Sequence, residues 1–447
     1  MEELSAALAD FITESTWEDL PDEVRHAARR SLLNGFGTAF AGCRDVALDA
    51  IVTTLTPFAG AEAASLIGRA QRTDVMSAAF INAAAMNVHD FDDTHLRTVI
   101  HPTAPVAPAL LAYAETTPVS GRELLHALAL GIETACRVGN AVSPGHYARG
   151  WHITATCGVF GAAVAAGKLL GLNRTQMLYA LGAASAQSSG LVETLGFMAK
   201  SVGVGSACRG GLFAAMLAKN GLDGPQQPLE GPRGFLRVTG DAPNGDDISG
   251  DLGTRWETLR NIHKPYPGGV VLFPVIDACL ALRDSRGIAA ADIARVTLYG
   301  HPLLAQRADR PAVETGREAQ VSAQHAASVC FLEGAAGLDQ FSDAAVKNPE
   351  VRALRERVFL QDDHACAVVG VKVVVELHDG RTEEFVVEHA RGTDERPLSD
   401  AEIEEKVRTL SKGADAPGVD ADRLIDAVWN LDQTDDAGLI MALARAL

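Results

Sequence analysis

The chain has 447 residues, 47% of them hydrophobic and 21% charged, which is enough apolar material for two or three packed domains. Its net charge is −18 and it contains no Lys/Arg run or basic stripe, which excludes nucleic acid as the main partner. A small anionic substrate is not excluded, because a few cations in a pocket dominate the local field.

In chain order, "MEELSAALADF" is acidic and amphipathic, unlike a signal peptide, and places the protein in the cytoplasm. "LPDEVRHAARRSLLNGFGTAFAG" predicts a helix starting at Pro21 and Asp22, with Val24, Ala27, Ala28, Leu32 and Phe36 recurring at helical steps. "SGRELLHALALGIETACRVGNAV" predicts another, opened by a Ser120–Glu123 capping box. Segments 152–171, 174–188 and 205–220 also read as helices. Several are apolar nearly all round, as expected at the centre of a bundle or at a subunit interface. The longest apolar run, "ITATCGVFGAAVAAGKLLGL", is rich in Ala and Gly and broken by Lys168; it predicts a core helix and not a membrane span. Aromatics make up only 5% of the chain, so these helices are expected to approach closely. The seven cysteines are widely spaced, with no C-x-x-C pair, and read as small buried hydrophobes in a reducing compartment.

The pattern changes after "NIHKPYPGGVV". "IARVTLYGHPLL" alternates like a strand, and "VKVVVELHDGRTEEFVVEHA" predicts a hairpin turning at Asp379-Gly380. "REAQVSAQHAASVCFLEGAAG" between them is helical, and "ERPLSDAEIEEKVRTL" restarts the helical pattern with a Ser399–Glu402 capping box. The expected fold is therefore mainly α with an α+β insert. A large all-helical domain is built from 1–265 and 397–447, ending in an amphipathic helix, and a smaller α/β domain spans 266–396.

The stretch "HDFDDTHLRTVIHP", residues 89–102, concentrates three aspartates and three histidines. Its His89, His95 and His101 are too widely spaced to share a helix face, and no phosphate loop lies nearby, so no metal is expected. Loop aspartates commonly cap backbone N–H groups, which accounts for part of the cluster. His101 precedes Pro102 at the start of an apolar helix, where backbone N–H groups favour anions; a carboxylate and an imidazole there suit proton transfer on an anionic substrate. Possible partners are Tyr147 and His152 of "GHYARGWHITATCG", Lys200 and Arg209 of "GFMAKSVGVGSACRGG", and His263, Lys264 and Tyr266 of "HKPYPGG". Tyr147 and His152 also fit an ordinary helix start, and Lys264 a solvated linker. Lys200, flanked by small and apolar residues, loses solvation unless it is paired.

With these motifs in hand, the chain resembles the MmgE/PrpD superfamily nearly end to end. The resemblance is carried by "AAFINAAAMNVHDFDDTH", "HPTAPVAPALLAYAE", "GWHITATCGVFGAAVAAGKLLGL", "GSACRGGLFAAMLAKNGLDGP" and "KPYPGGVVLFPVIDACLAL". Members include 2-methylcitrate dehydratase, cis-aconitate decarboxylase and iminodisuccinate epimerase. The resemblance implies a helical domain with a smaller lid domain, a homodimer, a small di- or tricarboxylate substrate, and no organic cofactor or required metal.

By motif position it implies a pocket using Asp90, Thr94, His101, His152 and Lys200. Tyr147 matches an aromatic acid/base position of epimerase-type relatives, and His325 falls where relatives carry Tyr or His. Arg209, Lys264, Tyr266 and Phe273 join the substrate-binding set, while Asp92, Asp93 and His95 are left as supporting or capping residues. The chain departs from the pattern at Phe273 and Gly203, where relatives carry histidines, and the expected pocket is less cationic for it.

The reaction implied is removal of a proton next to a carboxylate. Lys200 and His152 would bind the substrate carboxylate and transfer the proton, Asp90 would orient His101, and Tyr147 would be the opposing acid. The expectation is a hydro-lyase resembling 2-methylcitrate dehydratase. The alternatives are an epimerase of an iminodisuccinate-like acid and a non-catalytic carboxylate-binding homologue.

Overall fold

Ser120 and Glu123 close a capping box at the head of helix Gly121–Val142, and Ser399 and Glu402 do the same for Asp400–Leu410, each pair satisfying N–H groups that a helix start leaves open. These helices belong to the larger of two units into which the computed structural model, describing residues 3–412 and 418–446, divides. This helical unit takes the described residues up to Val88, Asp92–Asn261 and those from Ser399 on; the smaller unit takes His89–Phe91 and Ile262–Leu398. The sequence reading put these borders at 265/266 and 396/397 and gave no sign of the excursion at 89–91. That excursion is held by hydrogen bonds to distant residues: Gln320 Nε2 donates to the His89 carbonyl (2.8 Å) and the Gly268 N–H to the Asp90 carbonyl (3.0 Å).

In the helical unit, Ile153–Leu169 lies against Gly121–Val142, Thr103–Ala114, Arg174–Ser185 and Ala199–Lys219, and is buried from Ile153 through Gly167. Small residues permit this. A Cβ on Gly131 would stand 2.9 Å from the Gly161 carbonyl, and one on Gly161 would stand 2.5 Å from the Gly131 carbonyl. A methyl at either position forces the two helices apart, at a cost of about 1–3 kcal/mol. Ala199–Lys219 is long and apolar enough to cross a membrane by length and composition; its buried face lies against Ile153–Leu169, Val75–Asn87 and Arg174–Ser185. It begins at Ala199, upstream of the expected start at 205, because Gly203 and Gly205 read as a turn in sequence but serve close packing in the helix.

The smaller unit contains a four-stranded sheet in the order Val358–Asp362, Ile293–Gly300, Val371–Leu377, Thr382–Val387. The last two form the expected hairpin, with Gly380 at φ 88° in its turn. Val371, Val373, Val375 and Leu377 alternate inward, and helix Phe273–Arg286 covers the hairpin strands. The parallel edge strand Val358–Asp362 was not read from sequence. Its alternation is short, and its partner Ile293–Gly300 lies far upstream. "HPLL" departs from the expected strand, since His301 caps and Pro302 starts helix Pro302–Ala308.

Two buried histidines tie the helical unit together in their neutral form. His126 Nε2 meets Ser15 Oγ at 2.9 Å; His146 Nδ1 meets the Thr239 carbonyl at 3.2 Å and its Nε2 the Thr156 hydroxyl at 2.7 Å. Burial lowers both pKa values from 6.5 to about 4. Between those values the unfolded chain takes up protons that the folded one refuses, so stability falls as pH drops from 6.5 towards 4. Each ring contributes up to about 3 kcal/mol of this loss. Buried Asp93 opposes them. Its carboxyl is raised from 3.8 to about 6, so it favours the fold as pH falls through 6, by a smaller amount than the two rings remove. A lower melting temperature at pH 5 than at pH 7 is the expected calorimetric result; equal temperatures would contradict it.

Candidate active site

The acidic stretch begins as helix Val75–Asn87 ends, and its second half folds back on itself. The His95 N–H donates to the Ile100 carbonyl (2.8 Å), and the His95 carbonyl accepts from Thr98 (3.2 Å) and Val99 (2.8 Å). Val99 takes the left-handed φ of 56° that this turn demands. The fold-back brings His101 to Asp92: Nδ1 lies 3.0 Å from Asp92 Oδ1 and 3.5 Å from Thr94 Oγ1. Asn87 Nδ2 donates to the other Asp92 oxygen at 2.8 Å. Asp92 and His101 are 1% and 7% exposed, so the pair sits where water screens little of its charge.

Asp92, left as a supporting or capping residue from sequence, is the carboxylate partner of His101 that sequence assigned to Asp90. The next residue, Asp93, accepts from Thr103 Oγ1 and Asn261 Nδ2. Its burial, partly offset by the Thr103 hydrogen bond and reinforced by the Asp92 charge, is what raises its pKa to about 6.

One further helix of the helical unit meets this loop, and a second faces the start of that helix. The His101 N–H donates to Thr154 Oγ1 (3.1 Å) in the first turn of Ile153–Leu169, the helix that His152 heads. The His152 N–H is fixed in turn by the Gly190 carbonyl at 3.0 Å, and its ring does not cap the helix. A Cβ at Gly203 would lie 3.3 Å from the Ala155 methyl and 3.9 Å from His152 Nδ1, so the first turns of Ala199–Lys219 face His152. Buried Lys200 is in the first of those turns. The missing side chain at Gly203 is therefore missing beside His152. Thr94, His101, His152 and Lys200 all come from this neighbourhood of one unit. Tyr147 is half-buried in the short helix Gly145–Ala148. Arg209 lies on the exposed side of Ala199–Lys219, its guanidinium 5.1 Å from the centre of the Phe80 ring.

The other candidates belong to the smaller unit, where each has a partner within that unit. Asp90 has φ 51°; its carbonyl accepts from Lys264 Nζ at 3.1 Å, and its Oδ2 lies 3.3 Å from the same nitrogen. Lys264 is 1% exposed and also donates to the Gly268 carbonyl (3.0 Å), an arrangement unlike the solvated linker cation that sequence allowed. The Tyr266 hydroxyl donates to Asp277 Oδ1 at 2.7 Å; burial and that carboxylate push it well above the usual phenol range. Phe273 is fully buried, its ring edge-on to Tyr266 at 5.9 Å. His325 donates Nε2–H to the Gln340 carbonyl at 2.7 Å, and burial lowers its pKa to about 4, so it stays neutral. Buried His263 precedes Lys264 in the same segment.

Chemically, Asp92 and His101 form a carboxylate–imidazole pair: the acid at Nδ1 fixes the ring's tautomer and orientation and leaves Nε2 to exchange a proton. They also offer an oxygen and a nitrogen of the kinds that divalent ions bind, although here the two atoms face each other. Sequence reasoning missed Thr154 and Asn87. Thr154 stands inside the quoted "GWHIT" run, two residues after His152, but nothing in that spacing says that its hydroxyl accepts from His101.

The division into a helical unit and a sheet-containing unit runs parallel to two family matches. Residues 6–246 match the MmgE/PrpD N-terminal domain and residues 266–433 the MmgE/PrpD C-terminal domain, and the chain belongs to this family. It is similar to the cis-aconitate decarboxylase-like protein oryM of Aspergillus oryzae, at 29% identity over 98% of this chain and 97% of that protein. It is also similar to the cis-aconitate decarboxylases of Aspergillus terreus (27%, covering 98% of this chain and 95% of the relative) and Homo sapiens (27%, covering 95% and 91%). Family membership makes the chain a carboxylate-handling enzyme.

Proposed function

We propose that the protein is a cofactor-independent acid–base enzyme acting beside a carboxylate of a small di- or tricarboxylate, and that its reaction is loss of water. The observation that carries the reading is the buried Asp92–His101 pair, tied through Thr154 to the helix headed by His152. In the forward step His101, steadied by Asp92, takes the proton from carbon. The electron pair of that C–H bond forms the alkene as the neighbouring C–O bond breaks, and Tyr147 gives its proton to the departing hydroxide, releasing water. Lys200 and His152 balance the negative charge that builds on the substrate carboxylate, where low dielectric magnifies their effect.

A second reading, decarboxylation of an unsaturated tricarboxylate, is favoured by the names that the relatives carry. Gly203, which leaves His152 without a neighbouring imidazole, weighs against it. Epimerisation, with Lys200 and Tyr147 as opposed bases, is the third. Proton NMR in D₂O on chelator-dialysed enzyme separates them, using citrate, malate, aspartate-type acids and cis-aconitate. New alkene signals from a hydroxy acid are the expected result. Carbon dioxide release from cis-aconitate would replace this reading with the second, and deuterium exchange without an alkene would replace it with the third. Calorimetric binding with no chemistry at all would make the chain a non-catalytic homologue.

We further propose that the chain works as a homodimer. Phe197, Met198, Val202 and Phe213, on and just before helix Ala199–Lys219, are 67%, 49%, 42% and 46% exposed, more apolar surface than one helix usually leaves to water. Light scattering is expected to give twice the chain mass, and a Val202→Asp/Phe213→Asp variant a monomer; a monomeric parent protein would refute the proposal.

A further inference from the structure

The pair His95–Glu257 has no part in the chemistry above, yet it is among the most deeply buried charged contacts of the helical unit. Both side chains are 0% exposed, and His95 Nε2 meets Glu257 Oε2 at 3.1 Å. Burial alone would push the carboxyl up, but the hydrogen bond and charge of His95 hold it at about 2, so Glu257 stays ionised. Its second oxygen lies 3.3 Å from Arg255 Nε. With the Nε2–H of His95 given to this carboxylate, Nδ1 faces Thr98 Oγ1 at 2.8 Å, and that hydroxyl oxygen accepts the Ile100 N–H at 3.3 Å. The chain of contacts therefore runs from a buried charge into the turn 95–100.

That turn is under strain. Val99 is β-branched and held at φ 56°, a backbone state costing on the order of 1–3 kcal/mol. It persists only while something closes the turn, and the residue that follows the turn is His101. If the turn relaxed by one residue, His101 would move by about 3.3 Å, the rise of one extended residue, more than the 3.0 Å that separates its Nδ1 from Asp92 Oδ1.

We propose that Glu257, acting through His95 and Thr98, is a positioning residue for His101: this carboxylate–imidazole–hydroxyl chain keeps the 95–100 turn closed and His101 Nδ1 on Asp92. The catalytic part of the proposal rests on the acid–base role given to His101; the structural part does not. A bland alternative is that the pair only fills and anchors the core, in which case its loss lowers stability without a selective effect on turnover.

The test uses Thr98→Val, which keeps the side-chain shape and removes the hydroxyl, with Glu257→Ala and Glu257→Gln beside it. Amide hydrogen exchange of peptides spanning 95–101 is followed by mass spectrometry, with no ligand present. The constants kcat and KM are measured on whichever of citrate or cis-aconitate the NMR screen shows to be consumed. In Thr98→Val the 95–101 amides are expected to exchange at least about tenfold faster. Its kcat is expected to fall about 10–100-fold with KM within about twofold, the signature of a misplaced reacting group. Glu257→Gln, which still accepts from His95, is expected to recover most of the kcat that Glu257→Ala loses.

Unchanged exchange at 95–101 in Thr98→Val overturns the proposal even if Glu257→Ala fails to fold. Faster exchange with unaltered kcat overturns its catalytic part. If the parent protein consumes neither acid, the reaction reading fails, and the exchange result alone decides whether the tether exists.

Discussion

His101→Asn and Asp92→Asn are each expected to lower turnover by about 10²–10⁴-fold while leaving the fold intact, the range that a positioned general acid–base group contributes. The expectation follows from geometry. His101 Nδ1 is 3.0 Å from Asp92 Oδ1, both groups are buried, and Asp92 is itself fixed by Asn87. Asparagine at 92 keeps the size and can still accept from Asn87, but it loses the charge that stabilises a protonated imidazole. Its amide N–H can also turn towards Nδ1 and favour the wrong tautomer. Steady-state kinetics, with circular dichroism to check folding, would measure this. An Asp92→Asn enzyme keeping more than about a tenth of the parent rate would remove Asp92 from the acid–base pair.

Arg137→Met is expected to destabilise the helical unit by about 3–5 kcal/mol, the cost of leaving a buried charge without its partner. Arg137 is fully buried on helix Gly121–Val142, with Nε on Glu133 Oε1 at 2.5 Å. Its remaining donors hold the carbonyls of Ile248 (3.0 Å), Gly250 (2.8 Å) and Arg255 (2.6 Å), all in an irregular segment where Asp251 takes φ 54°. Glu133 Oε2 accepts the N–H and hydroxyl of Thr258 at 3.0 and 3.1 Å. Without Arg137, Glu133 is a buried carboxylate whose pKa burial already raises, and three carbonyls lose their donor.

At about 2–4 °C per kcal/mol, the melting temperature should fall by roughly 6–20 °C. The double variant Arg137→Met/Glu133→Gln should recover part of that, because it also removes the orphaned charge. A loss under about 1 kcal/mol for the single variant would show that the network carries little stability. The segment held by Arg137 leads directly into Glu257, so slower damage to turnover is expected to accompany the thermal loss.

Much of the fold can be read from local signals. The Ser120–Glu123 and Ser399–Glu402 boxes, the Asp379-Gly380 turn and the change from helical to alternating periodicity after "NIHKPYPGGVV" are local signals, and the caps, the hairpin and the sheet are present in the structure. The same locality explains the errors. Gly203 and Gly205 have the composition of a turn, but packing places them in a helix; Pro302 begins a helix where alternation suggested a strand.

For the site, residue types and motifs were enough to single out residues 89–102, His152 and Lys200, because so dense a titratable cluster in an Ala-rich chain is unusual. They could not say which of three adjacent-looking aspartates would do what. Asp90 goes to the smaller unit and takes Lys264, Asp92 takes His101, and Asp93 is left among neutral donors. A one- or two-residue step along an irregular loop turns a side chain into a different environment, and no periodicity constrains it. Nor could spacing pair His95 with Glu257, 162 residues away, or give the Arg137 donors to a loop more than a hundred residues downstream. The sequence by itself determined the elements, their caps and the family of chemistry, since these depend on neighbours along the chain. The tertiary structure alone decided which charges meet, because burial makes an unpaired charge costly and its partner can come from anywhere the chain happens to cross.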